Sequence, residues 1–387
     1  MINLIPKVNY IEKLKGNIEF SNYQIIIEHK YEKAALELNY KLERKLLIDE
    51  KSKTYYFEFV YNKDLKEQEY LILMDEEITH IEGGSLDAFY YASKTLISIL
   101  NLNNKKQVAS IKTKKYYIED KPRFNFRSLS FDMNNLDFSV EQLKQYIDNL
   151  SNLKINHLIL KLSNEKSLLV HFRNFPHLCE NSKIAYHEMK DLIRYAKEKF
   201  VYIIPEIDIF SLLENHEDMN VFYVIDELFS LFNSTSYIHF SGKDAKFNNL
   251  AMVDSVISFV KVKHHKKIIV YSDFINKIMD EEVIIHYYKL DESVAYINSG
   301  GKAIYSNLEQ LDFAASIKEV SLSKTYDKGI SILKLSRKAY KNILGMCGLY
   351  TKLANFDNLN ARISALSEAN WTNPMNHNCK DFVKRIK

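Results

Sequence analysis

Glycine is scarce, with nine in 387 residues, far below the roughly 7% of an average chain. No strand–helix junction carries a glycine-rich, phosphate-cradling turn, which argues against a nucleotide-binding fold. Cysteine is scarcer still. Cys179, Cys347 and Cys379 are odd in number and lack metal-ligand spacing, so they read as free thiols of a reducing compartment or as incidental core residues. No apolar run approaches the ~18 residues of a membrane span. Charge of one sign is missing as well: 53 basic residues face 50 acidic ones, a formal net of +3. Such a balance points to neither nucleic acid nor a membrane surface as partner. The opening Met1-Ile2-Asn3-Leu4-Ile5-Pro6 lacks a basic segment followed by an apolar one. No secretory signal is visible, and the expected location is cytoplasmic.

What is present is an ordinary globular composition, 46% hydrophobic and 27% charged, on a chain long enough for two cores. Residues 1–118 mix short β-branched runs with one or two helices. Asn22 to Ile27 and Lys53 to Val60 read as strands, and Glu69–Met74 with Glu77–Glu82 as a hairpin pair. Gly83-Gly84-Ser85 opens a helix from about Leu86 to Leu100, and Lys115–Ile118 forms a further strand. A small α/β accessory domain is expected here. Lys121-Pro122 marks a boundary, because the residue before proline is pushed out of helix.

Over 119–387 the pattern turns to alternation. Strands are expected at Phe126–Asp132, His157–Leu160, Val201–Glu206, Tyr237–Phe240, Lys267–Tyr271, Val283–Tyr288 and Lys302–Tyr305. Helices fall between most of them. One runs from about Ser139 to Leu153, with Ser139 and Gln142 spaced as a capping box. About eight such units suit a (β/α)8 barrel. An open doubly wound sheet would alternate in the same way, and periodicity alone does not separate the two.

Four segments of this region carry a resemblance: IEDKPRFNFRSLSFDM (118–133), QLKQYIDNLSNLKINHLIL (142–160), FPHLCENSKIAYHEMKDLIRYAKEKFVYIIPEID (175–208) and ARISALSEANW (361–371). A fifth, IEGGSLDAFYYASKTLISIL (81–100), precedes them. In order and register they resemble glycoside hydrolase family 20, the β-N-acetylhexosaminidases. The resemblance implies a small α/β domain followed by a (β/α)8 barrel, no cofactor and no metal, and an amino-sugar glycan or oligosaccharide as partner. In that family the substrate's own acetamido oxygen attacks the anomeric carbon, outside the usual two-carboxylate scheme. An Asp orients the acetamido group and the next Glu acts as general acid, in the motif His-x-Gly-Gly-Asp-Glu.

The departures are chemical. The matching stretch reads His239-Phe240-Ser241-Gly242-Lys243-Asp244, so Lys243 replaces the orienting Asp and Asp244 the acid Glu. A lysine cannot accept the amide hydrogen, and its charge opposes an oxazolinium-like cation. Asp is one methylene shorter than Glu, and a misplacement of about 1 Å can cost roughly 100-fold. Lys161, Asn164 and Leu169 stand where the family has His, Asp and Arg. Ile209-Phe210-Ser211-Leu212 replaces Met-Pro-Gly-His after Pro205-Glu206-Ile207-Asp208, and Asn135 replaces a further arginine. The resemblance leaves Arg127 as a sugar-binding arginine and Asp208 at a strand end. It places Tyr271, Tyr288 and Tyr350 near the tryptophans of the N-acetyl pocket.

Each residue has a plainer reading beside this one. Arg127 would form a salt bridge to Asp132 or Glu206, and Glu206 with Asp208 a buried polar network. His239 would be a core histidine, His264-His265 a helix-to-strand turn, and Trp371 packing. The expectation is a family 20-like protein with hydrolysis lost or much reduced and a residual carbohydrate-binding role. The alternatives are an active glycoside hydrolase of altered specificity using Asp244 as acid, and a non-catalytic interaction module.

Overall fold

The computed structural model describes residues 3–386 except 105, 217–219, 242–249, 275–281, 289–292, 317–318, 328–334 and 353–355. The chain divides into two compact units, residues 1–125 with 367–387, and residues 126–366. The sequence predicts the barrel domain over residues 119–387. Its C-terminal 21 residues group with the N-terminal unit.

The first unit holds β1 (Tyr10–Phe20), β2 (Asn22–Ile26), α1 (Glu32–Lys45), β3 (Thr54–Tyr61), β4 (Tyr70–Met74), β5 (Ile78–Gly83), α2 (Leu86–Ile99) and β6 (Ile111–Asp120). The strands form one mixed sheet in the order β1-β6-β4-β5-β3-β2. Strands β4 and β5 pair antiparallel, as their spacing predicts. The Ser85 hydroxyl caps α2 by accepting from the Ala88 N–H, which offsets one of the free amides of a helix start. Asp120, 2% exposed, accepts from the Tyr70 hydroxyl at 2.5 Å and the Trp371 indole at 2.9 Å. Trp371 therefore packs as a core residue with a satisfied N–H, edge-on to Tyr91.

The second unit opens with β7 (Ser128–Asp132), α3 (Val140–Asn152), β8 (His157–Lys161), α4 (Tyr186–Glu198) and β9 (Tyr202–Ile207). It continues through α5 (Ile209–Asn215), α6 (Val221–Leu231), β10 (Tyr237–Phe240), α7 (Leu250–His264), β11 (Lys267–Tyr271) and β12 (Ile284–Tyr287). Then come α8 (Ser293–Ser299), β13 (Ala303–Tyr305), α9 (Leu308–Leu311), α10 (Leu322–Asp327) and β14 (Ile343–Tyr350). Helices α11 (Phe356–Trp371) and α12 (Cys379–Arg385) end the chain. Strands β7 to β14 close into a barrel in sequence order, with β14 paired parallel to β7. The open-sheet alternative is thereby excluded.

Alternation along each strand fills the barrel. Ile159, Ile204, Ile269, Ile284 and Ile304 point inward from five strands and meet Phe126, Cys347 and Leu349. Each such isoleucine stabilises by roughly 1.5–3 kcal/mol through burial. The capping box ahead of α3 forms as its spacing predicts: the Gln142 N–H donates to Ser139 Oγ, and the Ser139 N–H to Gln142 Oε1. All three cysteines are free.

Candidate functional site

The C-terminal ends of parallel strands leave backbone and side chains turned to one mouth, where barrel sites are built. Here that mouth is a cleft of about 530 Å³. Asp132 and Lys161 reach it from the ends of β7 and β8, and Asp208 and Ser241 from the residues after β9 and β10. Tyr271 and Tyr288 line it from β11 and the residue after β12, and Leu349 from β14. Asn134, Asn135 and Asn164 complete the polar side.

Most carboxylates at this mouth are already engaged. Asp132 Oδ1 accepts from the Asn134 N–H at 3.0 Å and its amide at 2.9 Å. Its other oxygen accepts from Asn135 at 3.2 Å and lies 3.9 Å from the Lys161 ammonium. Asp208 caps α5, accepting from the Ser211 N–H at 3.0 Å. Burial raises its pKa, and the Ser211 hydrogen bonds and the Lys161 charge only partly counter this.

Beneath the cleft lies a sealed polar cluster. Glu206 and His239 stand opposite each other on β9 and β10, with His239 Nδ1 2.9 Å from Glu206 Oε2. Glu206 is 1% exposed and His239 fully buried. The Tyr271 hydroxyl donates to the same carboxylate, 3.0 and 3.1 Å from its two oxygens. Burial disfavours the charge on Glu206, but His239 above all, with Lys161 and His286, holds its pKa down at about 2. Burial above all, with the nearby Glu206 charge added, pushes the Tyr271 phenol well above its ordinary value. Its ring stacks on His286 with centroids 5.2 Å apart. The Ser306 hydroxyl donates to the Cys347 carbonyl at 2.9 Å. Its single proton is thereby used, so His286 Nε2, 2.6 Å away, is the donor to Ser306 Oγ. Burial, helped by His239, depresses the His286 pKa to about 3 and keeps the ring neutral.

Of the residues singled out in the sequence, the structure brings Asp208, Tyr271 and Tyr288 together at the mouth, with Lys161, Asn135 and Asn164. Arg127 is elsewhere. It precedes β7, at the opposite end of that strand from Asp132, and is fully buried. Its Nε donates to the Lys154 carbonyl at 2.6 Å, and its charge helps burial hold His157 at about 3. It does not line the cleft. Tyr350 is also fully buried. Leu349 points into the barrel, so its successor on β14 points outward, edge-on to Phe131. Lys243 and Asp244 lie outside the described residues. Glu206 belongs to the polar network expected of it, Asp208 to the mouth. His264 ends α7 and meets Asp226 at 2.8 Å, as a helix-to-strand turn.

His286 and Ser306 drew no notice in the sequence. Their roles depend on which strands are neighbours, which only the closed barrel fixes. Among the described residues no group of three His, Cys, Asp or Glu side chains is placed to hold a metal, and no helix is long and apolar enough to cross a membrane.

Residues 124–218 match the model of the glycosyl hydrolase family 20 catalytic domain. Over that stretch, about a quarter of its length, the chain is similar to this family. The β-hexosaminidase of Porphyromonas gingivalis is 24% identical over 160 residues, 37% of this chain and 21% of that protein. The β-hexosaminidase of Vibrio furnissii is 24% identical over 234 residues, 54% of this chain and 38% of its own length. The chain thus matches well under half the length of these curated relatives. Its fold extends further. The β-N-acetylhexosaminidase of Streptomyces coelicolor superposes with a TM-score of 0.82 at 17% identity, over all of this chain and 94% of that one. The exo-β-N-acetylglucosaminidase of Vibrio harveyi, solved with N-acetylglucosamine, gives 0.79 at 18% identity, over all of this chain and 76% of that one.

Proposed function

We propose that the chain binds a terminal N-acetylated amino sugar in the barrel cleft, with hydrolysis lost or much reduced. The make-up of the cleft carries the binding half of this reading. Asn134, Asn135, Lys161, Asn164 and Asp208 supply donors and acceptors to its lining, and Tyr271 and Tyr288 supply aromatic rings. That mixture suits a pyranose, whose hydroxyls need polar partners while its C–H face packs on aromatic rings. A relative of the same fold was solved with N-acetylglucosamine, which supports the choice of sugar.

The loss of turnover rests on the sequence pair Lys243-Asp244, where the family places an acetamido-orienting Asp and an acid Glu. Glu206 does not substitute as the acid. A carboxyl held at about 2 is ionised near neutrality and has no proton to give.

An aryl β-N-acetylglucosaminide and a thermal-shift titration with N-acetylglucosamine test both halves. No turnover is expected, together with a sugar-dependent rise in melting temperature that Tyr288→Ala and Asn164→Ala abolish. Turnover that disappears in Asp244→Asn would establish an active glycosidase instead. Absence of both signals would favour a module that uses the barrel surface for other contacts.

A further inference from the structure

The N-terminal unit contains a separate cleft of about 420 Å³. The last turns of α1 form one wall and the segment after α2 the other. Lys41, Arg44 and Lys45 line it from the helix, Asn103, Asn104 and Gln107 from the facing segment, and no carboxylate lines it. Positions 41, 44 and 45 are spaced to share one helix face, so three positive charges are gathered against their mutual repulsion. The walls are tied together by backbone: the Val108 N–H donates to the Lys45 carbonyl at 2.9 Å, and the Leu47 N–H to the Val108 carbonyl at 3.0 Å.

Elsewhere in this unit, buried lysines find acids. Lys94 meets Glu37 at 2.6 Å, and Lys115 meets Asp75 at 2.8 Å and Glu76 at 2.9 Å. In this cleft the partners among the described residues are neutral. Lys41 Nζ donates to Asn103 Oδ1 at 3.0 Å, Arg44 Nη1 to the Tyr40 hydroxyl at 2.6 Å, and Lys45 Nζ to the Asn104 carbonyl at 3.1 Å. Lys45 is only 7% exposed. Carbonyl dipoles at the end of α1 favour cations there. That accounts for the sign of the charge, not for gathering a largely buried lysine with two further cations where no carboxylate lines the cleft, which is unfavourable.

We infer that this cleft binds a phosphoryl group. A tetrahedral dianion would neutralise most of the gathered charge. It would accept from the Arg44 guanidinium fork, from the two ammonium groups and from the side-chain amides of the facing wall. The cleft has room for more than an inorganic ion, and Tyr40 with the buried Leu102 offers an apolar wall to whatever the phosphate is attached to. Nothing in this inference depends on the sugar reading of the barrel cleft.

Calorimetric titration of the full chain with inorganic phosphate and with glycerol 3-phosphate tests it. Both probes lack an amino sugar. Saturable binding is expected for at least one, weakening as salt rises. The ester should bind tighter if the natural ligand is a phosphate monoester, and the inorganic ion at least as tightly if it is free phosphate. Lys41→Gln/Arg44→Gln, on the surface and neutral for folding, should lower affinity about tenfold or more. Lys45→Met should do the same with its folding checked by circular dichroism, and Asn164→Ala in the barrel should leave the affinity for both phosphate probes unchanged. No saturable binding of either probe at millimolar concentration, or binding indifferent to the double variant, would overturn the assignment.

Discussion

The Tyr271 hydroxyl lies within 3.1 Å of both carboxylate oxygens of Glu206, so a ring that walls the cleft is anchored by a charge sealed below it. Removing only that hydroxyl separates anchoring from ring packing. Tyr271→Phe keeps the stack on His286 and leaves Glu206 short of a donor in a buried site. A loss of about 1–3 kcal/mol is expected, read as a lower midpoint in urea at unchanged slope. An unshifted midpoint would mean that the hydroxyl contributes nothing to the fold.

Acid should weaken the protein in two overlapping windows. His286 and His157 are each held at about 3 against an ordinary 6.5, the first by burial with His239 and the second by burial with Arg127. The unfolded chain therefore takes up protons first, and stability falls as pH drops from 6.5 towards 3. Glu206 has a folded pKa of about 2 against an ordinary 4.5. Its contribution is fully present above 4.5 and is lost as pH falls towards 2. In melting-temperature profiles, His286→Gln should reduce the slope in the upper window without abolishing it, because His157 remains. Glu206→Gln should reduce the slope only below pH 4.5. Profiles that both variants leave unchanged would refute the assignment.

The Ser139–Gln142 box offers a check on a feature readable from sequence. Ser139→Ala removes the acceptor for the Gln142 N–H and should cost about 1 kcal/mol. The loss should appear in thermal unfolding, with sugar affinity untouched.

Legibility followed locality. The capping box, α2 and seven barrel strands are written in short stretches of propensity and period, and all are found. Strand β14 was not named in advance, because Gly345 and Gly348 interrupt its pattern. Gly348 is there for space: a Cβ on it would come 2.5 Å from the Phe313 ring. Strand β1 was missed for a different reason. Most of its residues are exposed, which erases hydrophobic alternation. The Glu206–His239–Tyr271 cluster joins residues on three strands, and their adjacency follows from barrel closure rather than from any local signal. Asp208 at the mouth was readable, because it directly follows a strand that ends in a proline-containing apolar run. The resemblance makes Arg127 a sugar-binding residue, whereas counting along the strand puts it far from the mouth. It lies five residues before Asp132, so at about 3.3 Å per residue it is roughly 16 Å from the mouth along the strand.

That distance gives Arg127 and Asn135 opposite expected phenotypes. Arg127 is fully buried, with its Nε on the Lys154 carbonyl and its backbone N–H on Asn156 Oδ1. Arg127→Lys keeps the charge but not the planar fork. It should cost about 2–4 kcal/mol, because a buried cation loses hydrogen bonds that nothing else supplies. The molecules that stay folded should bind N-acetylglucosamine with unchanged affinity. Asn135 lines the cleft, and its side-chain hydrogen bond is a 3.2 Å contact to Asp132. Asn135→Ala should leave the urea midpoint within about 0.5 kcal/mol of wild type while weakening the sugar-dependent thermal shift. Measuring midpoint and shift on both variants decides the matter. A sugar affinity that drops in Arg127→Lys at full folding would return the arginine to the binding site, and would mean that the sugar lies at the other end of the barrel.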